Sequence, residues 1–304
     1  MEKELLNSLE SQGYRTGMTS VQHLSELQEI LDATHRQGLL DEGLYQDYLT
    51  GFSFCLPEEL PQACSLIAVA VPQRQTRFIF NWEGKQVAAF TPPTYLHAGR
   101  IDEQMEETLK GLLEPEGYHV VMADLPKKSL VTRIGLAKYG RNNITYIPGM
   151  GSFYRLVVFY SDLPCEEDPW SSPEMLKRCE ICRACAKFCP TGAITAERFL
   201  LHAERCIVFH NEKSGDVPFP AWIDPAWHNA LMGCMHCQRV CPENKELLTH
   251  IEEGTEFTQE ETALFVKGTQ LEQLPDETAK KLEVFDMAYL LDAFPRNLMV
   301  LLNQ

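Results

Sequence analysis

Between Cys179 and Cys189 the chain reads Cys-Glu-Ile-Cys-Arg-Ala-Cys-Ala-Lys-Phe-Cys, followed by Pro190. This is C-x2-C-x2-C-x3-C-P, the bacterial ferredoxin spacing, whose two-residue spacers let a short loop wrap three thiolates around three irons of a cubane. The fourth cysteine of such a run points to a second cluster, so the motif asks for a partner. The partner is Cys234-Met-His-Cys237-Gln-Arg-Val-Cys241-Pro242, a run lacking one early cysteine that Cys206, 28 residues upstream, supplies. Crossing the fourth ligands assigns Cys179, Cys182, Cys185 and Cys241 to one 4Fe-4S cluster. Cys189, Cys206, Cys234 and Cys237 then hold the other.

Eight of the eleven cysteines fall in this stretch, clustered rather than scattered. In a reducing compartment such clustering reads as metal ligation before it reads as disulfides. A pair of zinc sites is the competing reading, but zinc has no use for the C-P ending or the crossed three-residue spacer. Cys55, Cys64 and Cys165 are expected to be ordinary thiols. His210 and His236 are expected to pack beside the clusters or donate to sulfur, tuning potential without binding iron.

A chain of 304 residues has room for two domains, and an apolar share of 44% with only 18 Gly and 18 Pro excludes a disordered or collagenous protein. No stretch approaches the roughly 20 apolar residues of a spanning helix, and Met1-Glu-Lys-Glu4 has no secretory apolar core, so the expectation is a cytoplasmic protein without a membrane. The net charge of -16 repels phosphate backbones and sets nucleic acid among the disfavoured partners.

The apolar pattern predicts a helical stretch over residues 1–60, striped by Leu24, Leu27 and Leu31. Ser65–Pro72 reads as a buried strand, and the segments around Phe78 and Val87 as a hairpin turning at Glu83-Gly84. A helix follows over 101–113, a strand over 118–123, a helix over 130–139 and a strand over 154–160. Strands interleaved with helices make an α/β domain over 1–165, with a small α-helical ferredoxin-like domain over 166–250. Residues 251–304 are expected to form a short helical tail, in which Thr258-Gln-Glu-Glu261 is a capping box and Pro295 ends a helix.

One stretch departs from plain scaffold. Gly135, Gly140, Gly149 and Gly151 bring backbone close to something, with Arg141, Asn142 and Asn143 as donors beside it. A cofactor pocket and a set of turns and caps are both compatible with that pattern.

From about Ser65 to Asn244 the sequence resembles the epoxyqueuosine reductases, cobalamin-dependent iron-sulfur enzymes that reduce an epoxide on a modified tRNA base. The resemblance is carried by the Cys179–Cys189 run with Pro190-Thr-Gly-Ala-Ile194, by Arg205-Cys206-Ile207, and by Gly233-Cys234 through Cys241-Pro-Glu-Asn244. Gly135-Leu136 to Gly140-Arg141-Asn142, then Gly151-Ser152, is similar to the family's corrinoid-facing segment, with Arg141 where the family has Lys. The resemblance implies a nitroreductase-like α/β frame holding cobalamin against Gly135, Gly140, Arg141, Asn142, Gly151 and Ser152. It implies clusters that feed single electrons to cobalt, and Asp124 as proton donor. Asp124 stands two residues before Pro126 where the family has three.

The expectation is therefore a corrinoid-dependent iron-sulfur oxidoreductase, served by an electron donor such as a ferredoxin or flavodoxin. The tail is short and acidic where longer members end in a helical region that helps hold tRNA, so the expected substrate is a small molecule or a protein. The alternative is a non-catalytic two-cluster protein that reduces a partner.

Overall fold

The computed structural model describes residues 1–304. Nine strands follow in chain order: β1 (Arg15–Ser20), β2 (Ser65–Pro72), β3 (Gln75–Trp82), β4 (Lys85–Thr91), β5 (Val120–Met122), β6 (Lys138–Tyr139), β7 (Thr145–Tyr146), β8 (Tyr154–Ser161) and β9 (Ile251–Phe257). The chain divides into two compact units, each built from two stretches: Met1–Pro72 with Arg100–Arg183, and Gln73–Gly99 with Ala184–Gln304. The boundaries expected at 165 and 250 do not coincide with these. No helix is long and apolar enough to cross a membrane.

The first unit is a mixed α/β layer structure around the antiparallel sheet β1-β2-β8-β5. Successive side chains of a strand point to opposite faces. Leu66, Ala68 and Ala70 therefore enter one core with Leu24, Leu27, Leu130 and Val131. Ile67 and Val69 enter another with Leu5, Leu9, Met105 and Leu109. Burial on both faces is why β2 is apolar without alternation. The helices Leu24–Arg36 and Lys127–Arg133 cover one face, and Glu2–Ser11 and Ala98–Leu113 the other.

The helical reading of residues 1–60 is corrected by β1. Arg-Thr-Gly-Met-Thr-Ser has only Met18 as a large apolar residue and is held as an edge strand by its register with β2, Met18 opposite Ile67. The helix expected over 130–139 runs instead over Lys127–Arg133, because Gly135 adopts φ +73° and turns the chain into β6.

In the second unit the β3–β4 hairpin closes on Glu83 and Gly84, both at positive φ (+48° and +76°), the two-residue turn that matches strand twist. β3 also pairs in parallel with β9, which lies in the tail expected to be helical. β9 escapes sequence reading because Glu252, Glu253 and Glu256 hide its pattern. Those carboxylates are held across the strand pair by Thr76 (2.9 Å), Arg77 (2.7 Å) and Asn81 (2.7 Å). Gly254 marks a register shift in the pairing, where an added Cβ would meet the Phe78 ring at 2.5 Å. Phe78, Phe80, Phe257, Phe265 and Phe294 form the core of this unit. The capping box of Thr258 and Glu261 is present. Pro295 begins the helix Phe294–Leu302 rather than ending one, since a first-turn position needs no N–H.

Candidate functional site

The segment from Gly135 to Ser152 is organised by β6 and β7. Gly140 N–H donates to the Ile144 carbonyl at 2.7 Å, and Asn143, at φ +59°, closes the turn. The buried Asn142 amide donates to the Tyr146 hydroxyl at 2.9 Å. A Cβ at Gly140 would lie 2.5 Å from the Tyr146 ring and 2.6 Å from Asn142 Oδ1. Gly140 is thus demanded by packing within the turn. Gly135 and Gly149 differ: both have positive φ, and a Cβ on either would meet nothing within 4 Å. Gly151 has φ +53° and Ser152 is buried.

The hairpin also grips the chain entering the first cysteine run. Tyr139 N–H donates to the Glu174 carbonyl (2.9 Å) and Leu176 N–H to the Tyr139 carbonyl (2.8 Å). Arg141 then reaches into the ligand loop: Nη2 donates to the Cys179 carbonyl at 2.6 Å and Nε to the Cys182 carbonyl at 3.3 Å. Arg183 Nη1 donates to the carbonyls of Cys179, Glu180 and Cys182 at 3.0–3.1 Å. The Arg141 side chain, expected against a cofactor, is therefore engaged with the cluster loop. Its fork geometry lets one cation hold two carbonyls.

Asp124 is exposed just beyond β5, and its carbonyl accepts from Ser53 N–H at 3.1 Å. It does not cap the following helix, whose N-cap is Pro126. Lys127 is half-buried beside Asp102, Arg155 and Asp124. Burial pushes its ammonium below the ordinary lysine range, with Asp102 pulling upward, Arg155 adding to the depression and Asp124 opposing it. Asp102 and Arg155 form a bidentate pair at 2.7 and 2.5 Å.

In the second unit Cys206 stands at the N-cap position of the short helix Ile207–Asn211, with the N–H groups of Val208 and Phe209 within electrostatic reach of its sulfur. The His236 N–H stands in the same relation to Cys234. Burial pushes the Cys206 thiol up to about 11, and Cys189 and Glu212 add to it. Burial likewise takes Cys234 up to about 12, with Cys206 and Cys189 as like-charged neighbours. Cys189, Cys206 and Cys234 thus share one electrostatic neighbourhood, and amides within reach of two of the sulfurs suit them to thiolate ligation. This donor set fits an iron-sulfur cluster. No three His, Cys, Asp or Glu side chains close around a single point as ligands of one metal ion would.

His236 Nε2 donates to the Trp227 carbonyl at 2.9 Å and His210 Nε2 to the Glu204 carbonyl at 2.8 Å, so of the two expected roles the rings have packing beside the ligand segments and not donation to sulfur through Nε2. Cys64 and Cys165 donate to carbonyls of Asp162 and Glu167.

Sequence reasoning missed the polar frame around this loop. Buried Asn211 exchanges two hydrogen bonds with Gly233, at 2.6 and 3.1 Å. Asn297 donates to the carbonyls of Asn211 and Leu231, and Arg296 to those of Asn211, Lys213, Ser214 and Val217. The one available signal was an Asn and an Arg inside the apolar C-terminal helix.

Residues 178–244 match the family model of the 4Fe-4S double cluster binding domain. The epoxyqueuosine reductase of Pseudomonas aeruginosa is 30% identical over 146 residues, which are 47% of this chain and 39% of that protein. That of Staphylococcus aureus is 28% identical over 251 residues, 77% of this chain and 61% of that protein. Over these spans the chain is similar to the epoxyqueuosine reductases. It spans less than two thirds of the length of these curated relatives. The epoxyqueuosine reductase of Streptococcus thermophilus superposes with a TM-score of 0.69 at 17% identity, covering 99% of this chain and 80% of that one. An epoxyqueuosine reductase solved with an epoxyqueuosine-modified tRNA-Tyr stem loop superposes at 0.64, with 23% identity and the same coverage. The epoxyqueuosine reductase fold therefore accounts for nearly the whole chain.

That last structure, solved with a tRNA stem loop, overturns the expectation that nucleic acid is a disfavoured partner. Net charge describes the far field, whereas binding is decided by the charges facing a ligand. The tail acids counted against tRNA are largely committed within the second unit: Glu252, Glu253 and Glu256 to β3, and Glu261 to Lys281 and Thr278.

Proposed function

We propose that this chain is an iron-sulfur reductase of the epoxyqueuosine reductase kind, acting on an epoxide of a modified tRNA base and holding two 4Fe-4S clusters and a corrinoid. The observation that carries the reading is the presence of all eight cluster cysteines within a fold that matches an epoxyqueuosine reductase over 99% of the chain. The match to a double-cluster domain over residues 178–244 supports it. The crossed ligand sets read from the spacing remain the assignment.

For the corrinoid, the expected residues divide. The open sides of Gly135 and Gly149 suit close approach of a flat macrocycle, as does the positive φ of Gly151. Gly140, Arg141 and Asn142 serve the turn and the cluster loop, so in this reading the expected glycine backbone faces the group without the Arg141 and Asn142 side chains. When bound, a corrinoid supplies a strongly reducing metal centre in a nitroreductase-like frame.

Removing an epoxide oxygen as water consumes two electrons and two protons, so the protein must deliver both. Asp124, the proton donor that the resemblance implies, stands exposed at the end of a sheet strand. In this reading Asp124 passes a proton taken up from solvent to the leaving oxygen as the C–O bond breaks, and a second proton from solvent completes the water.

The test is nucleoside analysis by mass spectrometry after anaerobic incubation of reduced, reconstituted protein with an epoxyqueuosine-bearing stem loop. Conversion to queuosine that depends on added cobalamin is expected. A fully loaded protein that leaves the epoxide intact would refute the reading.

A further inference from the structure

Glu212 stands at the far end of the helix whose N-cap position Cys206 occupies: its N–H donates to the Val208 carbonyl at 3.1 Å, six residues and ~9 Å of helix axis from the ligand. The Tyr95 hydroxyl donates to the Glu212 carboxylate. The same Tyr95 ring lies against Gly233, the residue before Cys234, so closely that a Cβ there would approach it to 2.6 Å. The Tyr289 hydroxyl in turn donates to the Tyr95 carbonyl. Tyr95 thus fixes the carboxylate relative to two of the three segments that carry ligands of the second set. Burial and the facing carboxylate keep its phenol neutral, well above the ordinary tyrosine range.

A cavity of about 360 Å³ borders Tyr95 and Glu212 and is lined also by Lys213, Tyr289 and Asp292. Glu212 and Lys213 are both half-buried at its edge. The Glu212 carboxylate lies within electrostatic reach of the Cys206 sulfur, as the Arg239 guanidinium does of Cys234. A negative charge held close to a cluster disfavours an added electron, and burial weakens the screening that would erase the effect.

We propose that Glu212, oriented by Tyr95, lowers the reduction potential of the cluster held by Cys189, Cys206, Cys234 and Cys237. The pair is a positioning device for electron transfer, and the proposal rests on the two-cluster reading above.

The experiment is a potentiometric titration, followed by electron paramagnetic resonance, of anaerobic holoprotein with iron counted in each sample. Glu212→Gln removes the charge at constant shape and is expected to move one midpoint upward and leave the other in place, with iron unchanged. Glu212→Asp keeps the charge and is expected to stay close to the parent. Unchanged midpoints in the Gln variant, equal movement of both, or an Asp variant that moves as far as Gln would overturn the proposal. A Gln variant that loses iron while the Asp variant keeps it would overturn it too, making Glu212 a folding residue. A parent protein with only roughly four irons would remove the two-cluster reading itself, and this proposal with it.

Discussion

The Arg141 guanidinium donates to the Cys179 carbonyl at 2.6 Å and to the Cys182 carbonyl at 3.3 Å, joining the glycine-rich turn to the first ligand loop across 38 residues of sequence. A cation fixed on loop carbonyls steadies the loop and favours the reduced state of a cluster bound there. Arg141→Ala is expected to weaken the loop by about 1.5–3 kcal/mol, the usual worth of hydrogen bonds to a charged group. The readouts are faster bleaching of the cluster by a chelator and a lower midpoint for one of the two clusters. Arg141→Lys should recover only part of the loss, because an ammonium does not span two carbonyls as a fork does.

The crossed ligand sets make a prediction that sequence-local sets do not. Cys241→Ser should damage the cluster of Cys179, Cys182 and Cys185, and Cys189→Ser the cluster of Cys206, Cys234 and Cys237. Spectra of the reduced variants distinguish the two, and damage confined to each residue's own run would exclude crossing.

Asp124→Asn keeps the size of the side chain and removes its proton. Turnover of an epoxide substrate should fall by about 10²–10⁴-fold, the range of a general acid, with iron content unchanged. Single-turnover rates measured beside metal analysis check this, and an unchanged rate removes Asp124 from the mechanism.

His228 supplies a pH dependence. Burial, reinforced by the nearby Arg296, holds its imidazole down at about 4, against 6.5 for an ordinary histidine, and its Nε2 is buried without a hydrogen-bond partner. Between those values the unfolded chain takes a proton that the folded chain refuses. The contribution is therefore complete above pH 6.5 and is lost as pH falls toward 4, by roughly 3 kcal/mol. Denaturant titrations at pH 7 and 4.5 should show a larger acid loss in the parent than in His228→Gln, whose side chain does not titrate.

The cysteine runs and the buried strand β2 were legible because each carries its constraint locally: ligand spacing in one case, an unbroken apolar run in the other. The Glu83-Gly84 turn and the Thr258–Glu261 capping box were legible for the same reason. What escaped was set by distant partners. β1 and β9 are polar strands made by β2 and β3. Arg141 was assigned to a cofactor because its partners, two backbone carbonyls, leave no trace in sequence. Asn211, Asn297 and Arg296 hold carbonyls for the same reason unseen. The acidic tail misled most, since net charge does not reveal which carboxylates are already partnered.

The most direct test of the account is the count of iron, sulfide and cobalt per chain in protein purified without oxygen and supplied with cobalamin. The account predicts roughly eight irons, eight sulfides and one cobalt. Zinc in place of iron, or a chain that assembles both clusters and takes up no cobalt, would contradict it.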